Sequence, residues 1–319
     1  MILSFVLNLL IFAAAFVVLI KSTGYLTKIL VALANTLKIP EFTTAFVLMA
    51  IATTIPEFFV AISSAINKIP AIALGDAIGS NILDLTFIVG LIVIISGGFA
   101  IQNIVLKRDV VHMVATALIL LGLTLDKFLS RFDGLVLLFV YILFIIQVYG
   151  RHRYGKMDHI LSEEKIPVKK LAANLIHFVL ASALMLIGGA FLVKSGSNLA
   201  NLFSLPVILI GLVPISIGTS LPELFFGLQA AKKGHPSLTL GDLSGAFVAN
   251  ISLILGITAL LYPARIENSL PYFLSLGFLI VAALVFGIFC TTKKRLSWHE
   301  GLILIFTYIL FLFIEIIIR

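Results

Sequence analysis

The sequence predicts an all-α polytopic membrane protein whose ten transmembrane helices form two inverted five-helix repeats. Three observations carry that prediction. Apolar residues make up 61% of the 319 and only 12% are charged, a balance that no soluble core of this size could hide from water. Apolar runs of about 17 to 25 residues, the length that spans a bilayer as helix, recur ten times. Residues 39–91 align without a gap on 205–257 at a constant offset of 166.

The first run, 2–20, has no basic residue before it, so it reads as a spanning helix with an outside N-terminus and not as a cleavable signal. The next, 41–66, carries Thr53-Thr54-Ile55-Pro56-Glu57, and 72–97 carries Gly75-Asp76 and Ser80. Spans at 109–125 and 134–150 close a first repeat over residues 1–150. The longest polar connection, 151–170, holds Arg151, Arg153, Lys156, Glu163, Glu164, Lys165, Lys169 and Lys170 and reads as a linker. The second repeat, 171–319, then places spans at 171–193, 206–231, 237–261, 269–290 and 299–318. Loops after spans 1, 3, 5, 7 and 9 hold 16 of the 22 Lys and Arg residues. The positive-inside rule therefore predicts an integral protein of the cell (inner) membrane, with both termini outside and the linker cytoplasmic.

Composition also excludes classes. The net charge of +7 flanks spans instead of clustering on one soluble module, so nucleic acid is not an expected partner. The single Cys290 and six scattered histidines rule out a disulfide framework and a multi-cysteine metal site. No Gly-Lys-Ser/Thr phosphate loop is present, and no organic cofactor is implied. The expected partners are cations and lipid, and a monomer is compatible with the sequence.

Matches between the repeats include Pro40/Pro206, Thr53/Thr219, Pro56/Pro222, Glu57/Glu223, Pro70/Pro236, Gly75/Gly241, Asp76/Asp242, Gly79/Gly245 and Gly90/Gly256. Chance supplies Pro, Gly, Thr and acids least often inside a span. With five spans in each half, the second half enters the membrane from the opposite side, and the Pro-interrupted spans mark the binding site.

Apart from Glu41 at the very edge of span 2, five of the 15 acids fall inside spans 2, 3, 7 and 8: Glu57, Asp76, Asp84, Glu223 and Asp242. A carboxylate in the bilayer costs several kcal/mol unless it faces a partner or cavity, and no Lys or Arg lies deep enough to neutralise these. They hold protons or metal cations. Glu57 and Asp84 lie 12 residues before and 15 after Ile69 at the turn, about 18 to 22 Å along their helices. Glu223 and Asn250 repeat this about His235, so four oxygen-bearing side chains converge near one level. Three acids and an amide suit a hard cation such as Ca²⁺. Pro56 and Pro222 would free the carbonyls of Ala52 and Gly218, which with the hydroxyls of Thr53 and Thr219 extend the oxygen supply. Asp76, Ser80 and Asp84 share one helical stripe whose counterpart is Asp242, Ala246 and Asn250. Gly79 and Gly245 beside these stripes permit close helix approach. By the same arithmetic Asp76 and Asp242 lie about 10 Å from opposite membrane faces.

These motifs resemble the two alpha repeats of the cation/Ca²⁺ exchanger superfamily, and the ten-span layout resembles its prokaryotic sodium/calcium exchanger branch. Gly218-Thr219-Ser220-Leu221-Pro222-Glu223 is similar to the family signature throughout, and Ala52-Thr53-Thr54-Ile55-Pro56-Glu57 is a relaxed copy. The repeat motifs cover about 40–91 and 206–257. The resemblance implies that Glu57 and Glu223 bind Ca²⁺, that Thr53 and Thr219 add oxygens, and that Asp84 and Asn250 complete the site. It also implies that Ala50, Ser80 and Ser216 match sodium-binding positions. One departure is that Ala246-Phe247 stands where the family carries Ser-Asn. Others are acids at 76 and 242 where many members carry Asn, and Ala52 and Thr54 in place of Gly and Ser.

The expected function is secondary antiport by alternating access, Ca²⁺ against Na⁺, and not enzymatic catalysis. The residues leave open H⁺ coupling, K⁺ assistance, and exchange of Mg²⁺ or Mn²⁺. A channel is a further alternative. An intramembrane aspartyl protease is disfavoured, because Asp76 and Asp242 near opposite faces could not form a dyad.

Overall fold

The computed structural model describes residues 2–36, 53–101, 105–152, 168–232, 234, 237–292 and 295–317. In hydrocarbon every backbone N–H and C=O must find a partner within the chain, so the apolar runs fold as helices. Each of the ten expected stretches is mainly helical where it is described. The helices are α1 Ile2–Thr36, α2 Ile55–Ile66, α3 Pro70–Ile95, α4 Val105–Leu123 and α5 Arg131–His152. In the second half they are α6 Val168–Leu202, α7 Val207–Lys232, α8 from Ser237 to Leu261, α9 Ser269–Thr292 and α10 Trp298–Ile317. Among the described residues, seven helices (α1, α3, α6, α7, α8, α9 and α10) are long and apolar enough to cross a membrane. Helix α5 includes Arg151 and His152, and α6 includes Val168, Lys169 and Lys170; the rest of the expected linker lies outside the described residues.

The 166-residue offset reappears in the backbone. Helices α1 and α6 cover equivalent residues at that offset and pack along one another. The sequence had ended these spans at 20 and 193, because Lys21 and Lys194 interrupt the apolar runs. Helix α3 contains a π-helical turn at Asp84–Ile88, and α8 contains its counterpart at Ala249–Ile254. Two-residue strands tie the halves together. Strand β1 (Phe99–Ala100) pairs antiparallel with β4 (Arg295–Leu296), and β2 (Phe128–Leu129) pairs with β3 (Ala264–Arg265). Each pairing joins the first half to the second. Ser130 and Ser297 open α5 and α10 alike: their backbone N–H and hydroxyl groups donate to Asp133 and Glu300 three residues on, as in a capping box.

Helices α3 and α8 form the centre. Every residue of Pro70–Leu83 except Ala71 is buried, and one apolar cluster runs from Leu74 through Phe247 to Phe311. Helix α3 crosses α7 at backbone contact. A Cβ on Gly75 would stand 2.3 Å from the Ile208 carbonyl oxygen, and one on Gly79 would stand 2.2 Å from that of Leu212. Only glycine fits there. The π-turn of α7, Gly211–Ile215, contains Pro214, whose missing donor an unbroken α-helix would leave as a gap.

Candidate functional site

The glycine crossing sets the face of α3 that carries Asp76 and Ser80 against α7. There the Thr219 hydroxyl donates to Asp76 Oδ1 at 2.9 Å, Ser80 donates to the same oxygen at 3.3 Å, and the two hydroxyls are 3.1 Å apart. Ser216 donates to the Leu212 carbonyl at 2.6 Å, so its oxygen retains lone pairs for another partner.

The spans bearing Glu57 and Glu223 are broken, not kinked. Thr54 and Ser220 adopt nearly the same non-helical conformation, φ −81°, ψ 1° and φ −80°, ψ 2°. Beyond each, a new helix starts with proline as its second residue, where the absent N–H costs nothing. Each proline therefore lies in the first turn of a helix. The sequence had not singled out Ser220, whose buried Oγ makes no close hydrogen bond but stands near Asp84. Its position between the Thr and Pro of the motif was the available signal.

Eleven of the thirteen expected ligands are buried: Gly218, and Glu57, Asp76, Asp84, Glu223, Asp242, Asn250, Thr53, Thr219, Ser80 and Ser216, none of these ten above 4% exposed. Gly218 lies against the Phe16 ring of α1, which a Cβ would overlap. Ala50 and Ala52 lie outside the described residues. Within the cluster, both oxygens of Glu57 and of Asp242, Asp84 Oδ1, Glu223 Oε2 and Asn250 Oδ1 make no close hydrogen bond, although the hydroxyls of Thr219, Thr53 and Ser220 stand near Glu57, Asp242 and Asp84. No Lys or Arg is buried among the described residues. Glu223 lies within electrostatic reach of Glu57, Asp84 and Asp242, and Glu57 within reach of Asp76 and Asp84. No three described acids, histidines or cysteines meet closely enough to clasp one metal ion, so the cluster is one of charge and not a closed cage.

Asp76 and Asp242, which the helix arithmetic put about 10 Å from opposite membrane faces and so towards the two mouths, are not solvated there. They are 1% and 4% exposed, because distance along a helix from its turn does not measure cover from neighbouring helices. Buried acceptors without close donors or counter-charges are costly. A site made of seven such oxygens fits a cation that brings its own charge.

Comparison with known proteins agrees with this picture. The family model described as "Sodium/calcium exchanger protein" matches residues 7–150 and 173–317. The sodium/calcium exchanger MaX1 of Methanosarcina acetivorans is 28% identical, over 96% of this chain and 97% of its own. The inner membrane protein YrbG of Escherichia coli is 28% identical over 82% of each. Among solved structures, the sodium-calcium exchanger NCX_Mj superposes with a TM-score of 0.63 at 22% identity, covering 96% of this chain and 97% of that one. The H⁺/Ca²⁺ exchanger CAX superposes with a TM-score of 0.76 at 14% identity, covering 96% and 82%.

Proposed function

Because the chain belongs to the sodium/calcium exchanger protein family, we propose that it is a secondary antiporter that moves Ca²⁺ against Na⁺ by alternating access. Its ten helices act as two inverted repeats, 1–150 and 171–319, with both termini outside. The carrying observation is the set of buried oxygens on Glu57, Asp84, Glu223, Asp242 and Asn250 that make no close hydrogen bond, with no buried basic residue among the described residues. Ca²⁺ is the substrate held by Glu57, Glu223, Asp84 and Asn250, with Thr53 and Thr219 adding oxygens. A divalent ion in low dielectric needs these charges as well as the oxygens. Ala50, Ala52, Ser80, Ser216 and Gly218 belong to the flanking Na⁺ positions and to the carbonyl supply, and Asp76 and Asp242 border them.

One observation favours H⁺ as the alternative counter-ion. Ser80 donates to Asp76, whereas the equivalent of Ser80 beside Asp242 is Ala246, which offers no hydroxyl. Acids stand on both sides and a sodium ligand is missing on one.

⁴⁵Ca²⁺ uptake into proteoliposomes under separately imposed Na⁺, K⁺ and H⁺ gradients tests the reading. The expected result is uptake driven by an outward Na⁺ gradient and lowered about 100-fold or more in Glu57→Gln and in Glu223→Gln, as for loss of a charged ligand. Uptake driven only by pH would replace Na⁺ with H⁺. Near wild-type rates in either variant would remove that glutamate from the site.

A further inference from the structure

Asn250 carries an amide where its repeat counterpart, Asp84, carries a carboxylate. The two differ in more than charge. A carboxylate presents oxygen at either end, whereas an amide presents oxygen at one end and an NH₂ at the other, which repels a cation. An asparagine ligand must therefore be held the right way round.

The structure supplies a device for that. Asn81, fully buried on α3, donates its Nδ2 to the Phe247 carbonyl at 3.2 Å, and Asn250 donates its Nδ2 to Asn81 Oδ1 at 3.0 Å. The order is forced by chemistry. A backbone carbonyl only accepts, so the end of Asn81 facing it is the NH₂. The other end of Asn81 is then its oxygen, which also only accepts, so Asn250 turns its NH₂ there. What remains is Asn250 Oδ1, buried and without a hydrogen-bond partner. The fixed carbonyl of Phe247 thus dictates, through two amides, which atom Asn250 offers to the cluster.

The other half has no such relay. Asn81 and Phe247 are themselves counterparts at the 166-residue offset, so they meet across the repeat axis. The residue at Asn81's equivalent position has no polar side chain, and the ligand it would orient, Asp84, has oxygen at both ends. The Phe at 247, a departure from the family pattern, falls on the side where nothing needs turning.

We propose that Asn81 is a positioning residue which fixes the Asn250 amide with its oxygen toward the transported cation. The proposal rests on the reading that Asn250 binds Ca²⁺, and one set of variants separates the two. In ⁴⁵Ca²⁺ exchange by reconstituted protein, Asn250→Ala tests the reading: an unchanged KM removes Asn250 from the site. Asn81→Ala tests the relay. It should raise the KM for Ca²⁺ about tenfold or more with the maximal rate held within about twofold, the mark of lost ligation and not lost turnover. In an Asn250→Asp background the same substitution should move KM by less than about twofold from that background's own value, because a carboxylate needs no orientation. Asn81→Ser serves as a second variant if Asn81→Ala is not monodisperse in detergent. An Asn81 effect of equal size in both backgrounds would make the residue merely structural and overturn the proposal, as would no effect in the wild-type background.

Discussion

Thr219 and Ser80 aim their hydroxyls at one oxygen of Asp76, and that local fact changes what its charge can do. A carboxylate at a solvated mouth attracts ions through water and loses influence as salt rises, whereas a buried one is screened little. We expect Asp76→Asn to alter Ca²⁺ KM by the same factor at low and high concentrations of an inert salt. An effect that fades at high ionic strength would return Asp76 to the mouth. The buried polar cluster was legible because charge inside an apolar run is conspicuous: Glu57, Glu223 and Asp84 declare themselves, and the repeat offset then points to Asn250. Asn81 was visible only as a letter in a motif. An uncharged amide gives no warning, and its partners, Phe247 and Asn250, lie 166 and 169 residues away.

Within elements, the steepest demand falls where α3 crosses α7. At Gly79 the obstacle to a Cβ is the Leu212 backbone, 2.2 Å away, which cannot swing aside as a side chain would. Gly79→Ala should therefore destabilise the protein by at least the ~1–3 kcal/mol typical of overpacking and abolish exchange. Gly122→Ala and Gly277→Ala, whose added methyls meet nothing within 4 Å, should leave melting temperature and exchange unchanged or slightly improved. Thermal melts in detergent measure this, and a fully stable Gly79→Ala would refute the crossing. Helix positions were readable from apolar run length, and the breaks at Thr54 and Ser220 from the prolines that follow. The π-turns were not, since one extra residue per turn leaves no mark on hydropathy. Strands of two residues leave none either, being too short for an alternating pattern.

At the level of the whole molecule, the duplication was the most legible feature, because Pro, Gly and acidic matches at one fixed offset have no other economical explanation. How the halves interlock was not, since β1 with β4 and β2 with β3 join residues far apart in the chain. The paired long helices carry a consequence of another kind. The apolar parts of α1 and α6, 23 and 29 residues, measure about 35 and 44 Å as helix, against about 30 Å of hydrocarbon in an ordinary bilayer. They meet that mismatch by tilting or by thickening the lipid around them, each at a fraction of a kcal/mol per Å. Much of α1 faces outward, so the lipid acts on it directly. Acyl chain length should therefore tune exchange: across phosphatidylcholines of about 14 to 22 carbons the rate should pass through a maximum, and a flat profile would deny the coupling. For this protein the thickness of the membrane becomes a working part of the machine.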